Sequence, residues 1–586
     1  MKKRILFLQL PLLDNDTAGK RENFPFAALW LSHALSQHPE GEFWEVATAP
    51  AKWDELDNAH LLEKILVSGV EAVAFTLCLW NVERSLRVAR QLRNSRPELF
   101  LMAGGPEISE DHPFLLEEPV FNALVTGEGE AVFPEILKGI RAGKLPAYDN
   151  VLISSDTGWR RGSKPPPPID LASVQVPVAS LIECIKARPS VYIETSRGCP
   201  LTCTYCRYHH LQKGVRALPA EAAAQRVQQL RAAGAREIRF VDPTFNARAD
   251  FTQLLERLAE INADRKLGFF AELRADTLTP EQAALMAKVN FLDVEIGVQS
   301  TDPKVLRTIR RPANIAQVER GIRLLTAAGV KVTLDLMYGL PEQTLDDVLR
   351  SIEWARNFGP NITIQCMQTL LLPGTDLREQ AEQYGMQSMA LPPYGVFSTA
   401  TMPEDDMRRI EALLHDSDDM PADPVTARFT GYRLNGLFKE QVGTAVPAVR
   451  SSEKLKTDGG LRQTALPLYS ETLRGFQNRR AVMIRGGDMN ARRKEIGRMI
   501  EESISSEPDM LWQFVLCPER EEPMQLLEEL IATVKKQPPH LLDRFASAEL
   551  FGEIASRRIF VRLAKGRKYD AEWRGQVEEL LGRHFV

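Results

Sequence analysis

Short apolar runs alternate with amphipathic helical patterns from Ile5 to Leu371, and this alternation constrains the fold more than any other feature of the chain. In the first stretch, strands are predicted at Ile5–Leu10, Val70–Leu79, Leu99–Ala103 and Ala123–Thr126, with helices at Phe26–Ser36 and Val82–Asn94. Strand and helix in turn imply a parallel sheet covered on both faces, a doubly wound α/β unit that binds ligands beyond the carboxyl ends of its strands. From Val191 the alternation resumes with a longer period. Strands are predicted at Val191–Ser196, Glu237–Asp242, Leu267–Leu273, Phe291–Gly297, Lys331–Tyr338 and Ile362–Leu371, with helices such as Pro219–Ala233, Phe251–Ala263, Asn314–Ala328 and Thr344–Phe358. Six βα repeats in a row predict a barrel or partial barrel with its chemistry at the strand ends.

The breaks in this rhythm give the domain plan. Trp159–Pro168 holds four consecutive prolines, which cannot continue helix or sheet pairing, so 159–180 is expected to link a first domain, 1–158, to a barrel over 181–402. An acidic, proline-bearing stretch, 403–424, is read as a second linker, and 425–586 as a smaller α+β region, a possible substrate-recognition or lid domain. With 44% hydrophobic and 26% charged residues, the chain of 586 has the composition of a folded globular protein. A net charge of −5 lowers the expectation of a nucleic-acid partner, and no apolar run reaches the roughly 18 residues of a membrane helix. The basic start Met1–Arg4 followed by Ile5–Leu13 resembles a leader, but Gln9 and Pro11 interrupt it and Asp14-Asn15-Asp16 follows, so it is read as a first buried strand.

Seven cysteines are too few for a disulfide scaffold in a chain this long. Cys78, Cys184, Cys366 and Cys517 are scattered in apolar surroundings and are read as small buried hydrophobes. Cys199, Cys203 and Cys206 instead lie within eight residues, at a strand end. Such a cluster of thiols indicates a metal and a reducing, cytoplasmic setting. Thiolates suit zinc or iron–sulfur clusters, and the zinc alternative would add His209 or His210. Structural zinc draws its ligands mostly as two separated pairs, which a single compact trio fits poorly.

The segment Glu194-Thr195-Ser196-Arg197-Gly198-Cys199-Pro200-Leu201-Thr202-Cys203-Thr204-Tyr205-Cys206 resembles the radical S-adenosylmethionine (SAM) superfamily, whose signature is CxxxCxφC with an aromatic at φ. Later strand ends look like the same family: Val241–Phe245, Glu272–Asp276, Glu295–Ser300, Asp335–Glu342 and Leu372–Thr375. The resemblance implies that Cys199, Cys203 and Cys206 bind a 4Fe-4S cluster whose open iron chelates SAM. It also implies that Tyr205 packs near the adenine, that Arg274 pairs with the SAM carboxylate, and that Glu295 and Gln299, helped by Glu272, face the ribose or the methionine end. Structural alternatives stand beside these roles: Glu272 could pair with Arg274, and Gln299 could cap a turn. Tyr338, at a strand end, is a candidate for contacting SAM or substrate.

A second resemblance covers the first domain. Gly104-Gly105-Pro106-Glu107 and Gly127-Glu128-Gly129-Glu130, each closing a strand ahead of a radical SAM barrel, look like the cobalamin-binding domain of the cobalamin-dependent subfamily. Gly104, Gly105, Pro106, Glu107, Gly127, Glu128 and Glu130 are the candidate cobalamin contacts. A DxHxxG motif is absent, since His33, His60 and His112 lack the preceding Asp, so cobalt would take no histidine from that motif. The subfamily implies a Rossmann-like cobalamin domain, a partial (β/α)6 TIM-type barrel, and cleavage of SAM to a 5′-deoxyadenosyl radical. Methyl transfer by way of methylcobalamin to an unactivated carbon of a small molecule or peptide would follow, with electrons from a donor such as flavodoxin or ferredoxin. Two other outcomes remain open: a non-methylating reaction on the same architecture, such as cyclisation or ring contraction, and a non-catalytic cobalamin- or metal-binding protein. The whole cysteine trio together with Arg274 and Glu295 argues against the last. The arginines Arg479, Arg480, Arg492 and Arg493 are read as a solvated basic face.

Overall fold

The computed structural model describes residues 2–11, 26–187, 190–208, 214–359, 362–416, 462–466, 479–486, 488–544, 557–563 and 567–581. His209 and His210 lie outside them. Among the described residues no helix is long and apolar enough to cross a membrane.

The first sheet has seven strands: β1 (Lys3–Leu8), β2 (Trp44–Thr48), β3 (Ala72–Thr76), β4 (Phe100–Gly104), β5 (Ala123–Val125), β6 (Val151–Ser155) and β7 (Gly158–Arg161). Their spatial order is β2-β1-β3-β4-β5-β6-β7, parallel from β2 to β5 and antiparallel at β6 and β7. The inner strands are apolar on both faces, with Ala72, Val73, Leu101 and Leu124 all sealed from solvent, as a sheet covered on both sides requires. The edge strand β2 escapes sequence reading because only Trp44 is buried in it. β7 corrects the linker expectation: Trp159–Arg161 pair with Leu152–Ser154 before the chain turns extended through the prolines.

Six parallel strands follow in chain order, β8 (Ser190–Ile193), β11 (Glu237–Phe240), β12 (Gly268–Leu273), β13 (Phe291–Gln299), β14 (Lys331–Tyr338) and β15 (Ile362–Gln368), the staves of a partial barrel. Between β8 and β11 a small antiparallel ribbon, β9 (Ser196–Arg197) with β10 (Arg216–Ala217), carries the cysteine segment. Local sequence sets the helices that cover the staves. Thr279-Pro280-Glu281-Gln282 and Thr344-Leu345-Asp346-Asp347 each form a capping box, satisfying backbone donors at the helix start. After β15 comes a short ribbon, β16 (Gln387–Ser388) with β17 (Val396–Ser398). The stretch read as an acidic linker then begins with a helix, Glu404–Asp416, whose three acidic residues in the first turn suit the positive end of the helix dipole.

The C-terminal region holds a four-stranded sheet in the order β18 (Arg462–Leu466), β19 (Arg479–Gly486), β20 (Leu511–Pro518) and β21 (Arg557–Val561). Helices Arg493–Ser506, Met524–Lys535 and Ala571–Leu581 bury Ile496, Leu527 and Trp573 against Trp512 and Phe514 of β20. Arg492 pairs with Glu495 and Arg493 with Glu529, surface ion pairs worth little, while Arg479 and Arg480 begin β19.

Contacts divide the chain into two compact units, one on 1–10, 24–49 and 65–429, the other on 11–23, 50–64 and 430–586. The expected 1–158 domain is therefore not self-contained. Its 50–64 segment belongs with the C-terminal region, where Asn58 Nδ2 donates to Glu507 and Asp509 at 3.1 and 2.9 Å. The first sheet and the barrel share one unit.

Candidate active site

The cysteine segment is fixed at its start by a buried carboxylate. Asp242, at the end of β11, accepts from Thr195 N at 2.7 Å and from the Thr195 and Ser196 hydroxyls at 2.5 and 2.8 Å. Further on, Thr204 N donates to Ile309 O and Leu377 N to Thr204 O, so both sides of the barrel hold the loop. Cys203 is buried, and Cys199 and Cys206 are half-buried. All three line a cavity of about 180 Å³ at the carboxyl end of the barrel. Tyr205, Glu272, Arg274, Glu295 and Gln299 line the same cavity, so residues spread over a hundred positions of sequence meet at one place.

Neighbouring strand ends supply the walls. Glu272 lies opposite Glu295 in register, and Gly297 opposite Asp335. A Cβ on Gly297 would fall 2.5 Å from Gln299 Nε2 and 3.0 Å from Arg311 Nη2, so glycine there makes room for both. Gln299 itself has φ of 67°, a left-handed conformation that a side chain of this size rarely adopts. Arg274 is already engaged: its Nε and Nη2 reach the two carboxylate oxygens of Asp276 at 2.9 and 2.5 Å. Asp276, rather than Glu272, is its partner.

Two further lining residues are Arg311, which carries no sequence signal, and Asp335, which opens the family-like strand end Asp335–Glu342 without being a site candidate by sequence. Arg311 donates to Cys203 Sγ at 3.6 Å and to Gly297 O, but Arg310-Arg311-Pro312 looks like any solvated turn. Asp335 is buried, and burial followed by the charges of Glu295 and Glu272 pushes its carboxyl well above the usual range. Asp335 Oδ1 and Gln299 Oε1 are both buried without a hydrogen-bond partner, a costly state that a ligand in the cavity would relieve.

Tyr338, by contrast, is fully buried, lies 3.5 Å from Glu411 through its hydroxyl, and lines neither this cavity nor the one described next. Strand parity is the reason: Asp335 and Tyr338, three residues apart on β14, take opposite faces.

A second, larger cavity of about 500 Å³ opens where the carboxyl ends of the first sheet meet β8. Its walls are mostly apolar, Phe7, Phe26, Trp30, Met102, Phe133 and Tyr192 among them, and its rim holds Gly104, Gly105, Gly127, Glu128 and Glu130. Gly105 has φ of 114°, and a Cβ there would lie 2.4 Å from Leu77 O; Gly127 has φ of 67° and open space where a Cβ would go. Pro106 and Glu107, also expected at this site, do not line it. Glu107 is turned into the protein, where Tyr394 OH donates to Oε2 at 2.9 Å and His112 Nε2 lies 3.1 Å away. Glu128 and Glu130 reach the cavity wall, but both carboxylates bind Arg197. Among the described residues no histidine lines this cavity. Tyr208 and Pro243 line both cavities and form the wall between them.

Comparison with known proteins accounts for this pair of cavities. The Radical SAM superfamily profile matches residues 193–355, and the B12 binding domain profile matches 25–137. The chain carries a radical SAM domain and a B12-binding domain. It is similar to the anaerobic magnesium-protoporphyrin IX monomethyl ester cyclase of Rubrivivax gelatinosus, at 23% identity over 62% of this chain and 68% of that protein. It is also 23% identical to the cobalamin-dependent radical SAM methyltransferase TokK of Streptomyces tokunonensis, over 61% of this chain and 55% of the relative. Among solved structures, the radical SAM methyltransferase TsrM of Kitasatospora setae shares its fold with a TM-score of 0.54 and 18% identity, over 66% of this chain and 78% of TsrM.

A radical SAM domain implies a 4Fe-4S cluster and SAM, a B12-binding domain implies cobalamin, and the protein is an enzyme. The residues present fit these groups. Among the described residues no three cysteine, histidine or carboxylate side chains converge closely enough to hold one metal ion. The three thiols line one cavity, where a multi-iron cluster would find its ligands. The larger cavity has apolar walls and a glycine rim that lets backbone approach a flat macrocycle.

Proposed function

We propose that the enzyme is a cobalamin-dependent radical SAM methyltransferase, acting on an unactivated carbon of a small-molecule or peptide substrate. The observation that carries this reading is the shared wall. The cavity of the cysteine trio and the cavity of the B12-binding domain meet at Tyr208 and Pro243, so a substrate at that junction would touch both. When bound, the cluster and SAM supply a 5′-deoxyadenosyl radical for hydrogen abstraction, and cobalamin supplies a carrier for a methyl group.

The chain's own residues bind, orient and exclude water. Cys199, Cys203 and Cys206 hold the cluster, with Arg311 donating to the Cys203 sulfur and stabilising its negative charge. Glu295, Gln299 and Asp335 orient SAM, and the burial that raises the Asp335 pKa favours its neutral carboxyl, which can donate a hydrogen bond. Tyr205, packed on Val305, Leu306 and Ile309, gives the adenine an apolar neighbour. Arg274 meets the SAM carboxylate only through a guanidinium shared with Asp276, which weakens its part. On the cobalamin side, Phe26, Trp30 and Tyr192 keep bulk water from the macrocycle, since a primary carbon radical is quenched by any loose donor.

The similarity to a cyclase supports a second reading, a non-methylating radical reaction on the same frame. Product analysis separates the two. Anaerobically reconstituted enzyme with SAM, cobalamin and a low-potential reductant, flavodoxin or ferredoxin included, should yield S-adenosylhomocysteine and, with substrate, 5′-deoxyadenosine as well. Production of 5′-deoxyadenosine with no S-adenosylhomocysteine would exclude methyl transfer and leave the second reading.

A further inference from the structure

The three cysteines are bracketed by two arginines, and each reaches a different strand-end loop of the first sheet. Arg197, two residues before Cys199, is nearly buried. Its Nη1 and Nη2 bind Glu128 Oε1 and Glu130 Oε1, both at 2.5 Å, and its Nε binds Glu194 at 2.9 Å. Arg216 of the same β-ribbon adds a bond to Glu128 at 2.6 Å. Arg207, the residue after Cys206, donates to Pro106 O and, at 2.9 Å, to Ile108 O. The loop it grips is tied to the barrel twice more, by Tyr394 to Glu107 and by Arg378 to Asp111 at 3.5 Å. Both glycine-bearing loops that rim the larger cavity are thus fastened to the segment that carries the thiols.

Resting on the cofactor assignment above, we propose that Arg197 and Arg207 are positioning residues that couple the two cofactor sites, so that occupying either one favours occupation of the other. The physical basis is shared ordering. The cysteine loop and the glycine-rich rim each lose conformational freedom when a group binds, and the arginines make that loss common to both. Whichever group binds second meets a loop already held in place, and the coupling is reciprocal. The planar guanidinium matters as well as its charge, because Arg197 spans three carboxylates and a lysine would meet them from a single point. Glu128 and Glu130, expected to touch cobalamin directly, then act through Arg197 instead.

The test uses full-length protein. The dissociation constant of hydroxocobalamin is measured by absorbance on cluster-loaded enzyme and on enzyme stripped of iron by a chelator, in wild type, Arg197→Gln, Arg197→Lys and Arg207→Gln. Wild type should bind hydroxocobalamin at least about fivefold tighter with the cluster in place. In Arg197→Gln and Arg207→Gln this ratio should fall toward one while the cluster absorbance stays, and Arg197→Lys should lie between. Because the readout is a ratio, a merely destabilising substitution leaves it unchanged, and Arg207→Gln serves if Arg197→Gln does not fold. A ratio of one in wild type, or the same ratio in wild type and both glutamine variants, overturns the coupling alone. Failure of wild type to take up iron or cobalamin overturns the functional reading and the coupling with it.

Discussion

The two cavities at the centre of this enzyme are built on opposite principles. The smaller one is polar, and side chains make it: three thiols, three carboxylates and two guanidinium groups, from the cysteine segment, the strand ends and the turn at Arg311. The larger one is apolar, and backbone and shape make it, with glycines at the rim and phenylalanines in the wall. A site made of functional groups should lose its ligand when one group is removed but keep its fold. A site made of space should tolerate loss of a polar group and fail when an added atom changes its shape.

The sharpest way to break this contrast is Cys203→Ser. Iron content and the visible absorbance of the reconstituted cluster should be lost, and SAM cleavage should fall by more than about 10³-fold, while hydroxocobalamin still binds. Retention of a full cluster would remove the thiol trio from its assigned place. The converse substitution is Gly105→Ala, which adds one carbon 2.4 Å from Leu77 O at a φ of 114°. It should destabilise the first sheet by roughly 1–3 kcal/mol in urea titration and weaken hydroxocobalamin binding, with cluster assembly preserved.

Asp335 tests the contrast from inside the polar cavity. Burial and two neighbouring carboxylates raise its pKa and so favour the neutral carboxyl, with which Asn is close to isosteric. Equilibrium dialysis against SAM should show Asp335→Asn within a few-fold of wild type and Asp335→Ala weaker by about tenfold, the value of one lost hydrogen bond. Equal weakening by both would mean that the carboxyl acts as an anion.

The smallest effect lies in the C-terminal unit, where burial pulls His540 down to about 4, and Asp509 O lies 3.2 Å from Nε2. Its folded pKa is below the unfolded value of about 6.5, so the unfolded chain binds the extra proton first and stability falls as pH drops through that window. Between pH 7 and 5.5 the loss should be roughly 1 kcal/mol by urea titration, and it should be absent in His540→Asn.

Much of the polar site was legible in sequence because its residues sit at strand ends. In a βα barrel the chain returns to the same rim at each repeat, so Cys199, Glu272, Glu295 and Gln299 meet there whatever the loop details. Tyr338 misled because a period-two element turns a strand-end position into an inward or outward one only through its parity. Asp335, on the other face, opens the family-like strand end Asp335–Glu342, but nothing in the sequence singles it out there as the residue that lines the cavity. Arg311 was hidden for a different reason: its contact with Cys203 crosses more than a hundred residues of chain.

What the sequence determined by itself is local and periodic: two parallel α/β arrays, the capped helices that cover them, and a thiol trio at a strand end. What only the tertiary structure decided is which groups have a neighbour. Glu107 turns inward to Tyr394 and His112, and Glu128 and Glu130 bind Arg197. Residues 50–64 join the C-terminal unit. Such choices depend on how distant charges and buried polar atoms find partners away from water, a requirement of three-dimensional proximity that no spacing along a chain encodes.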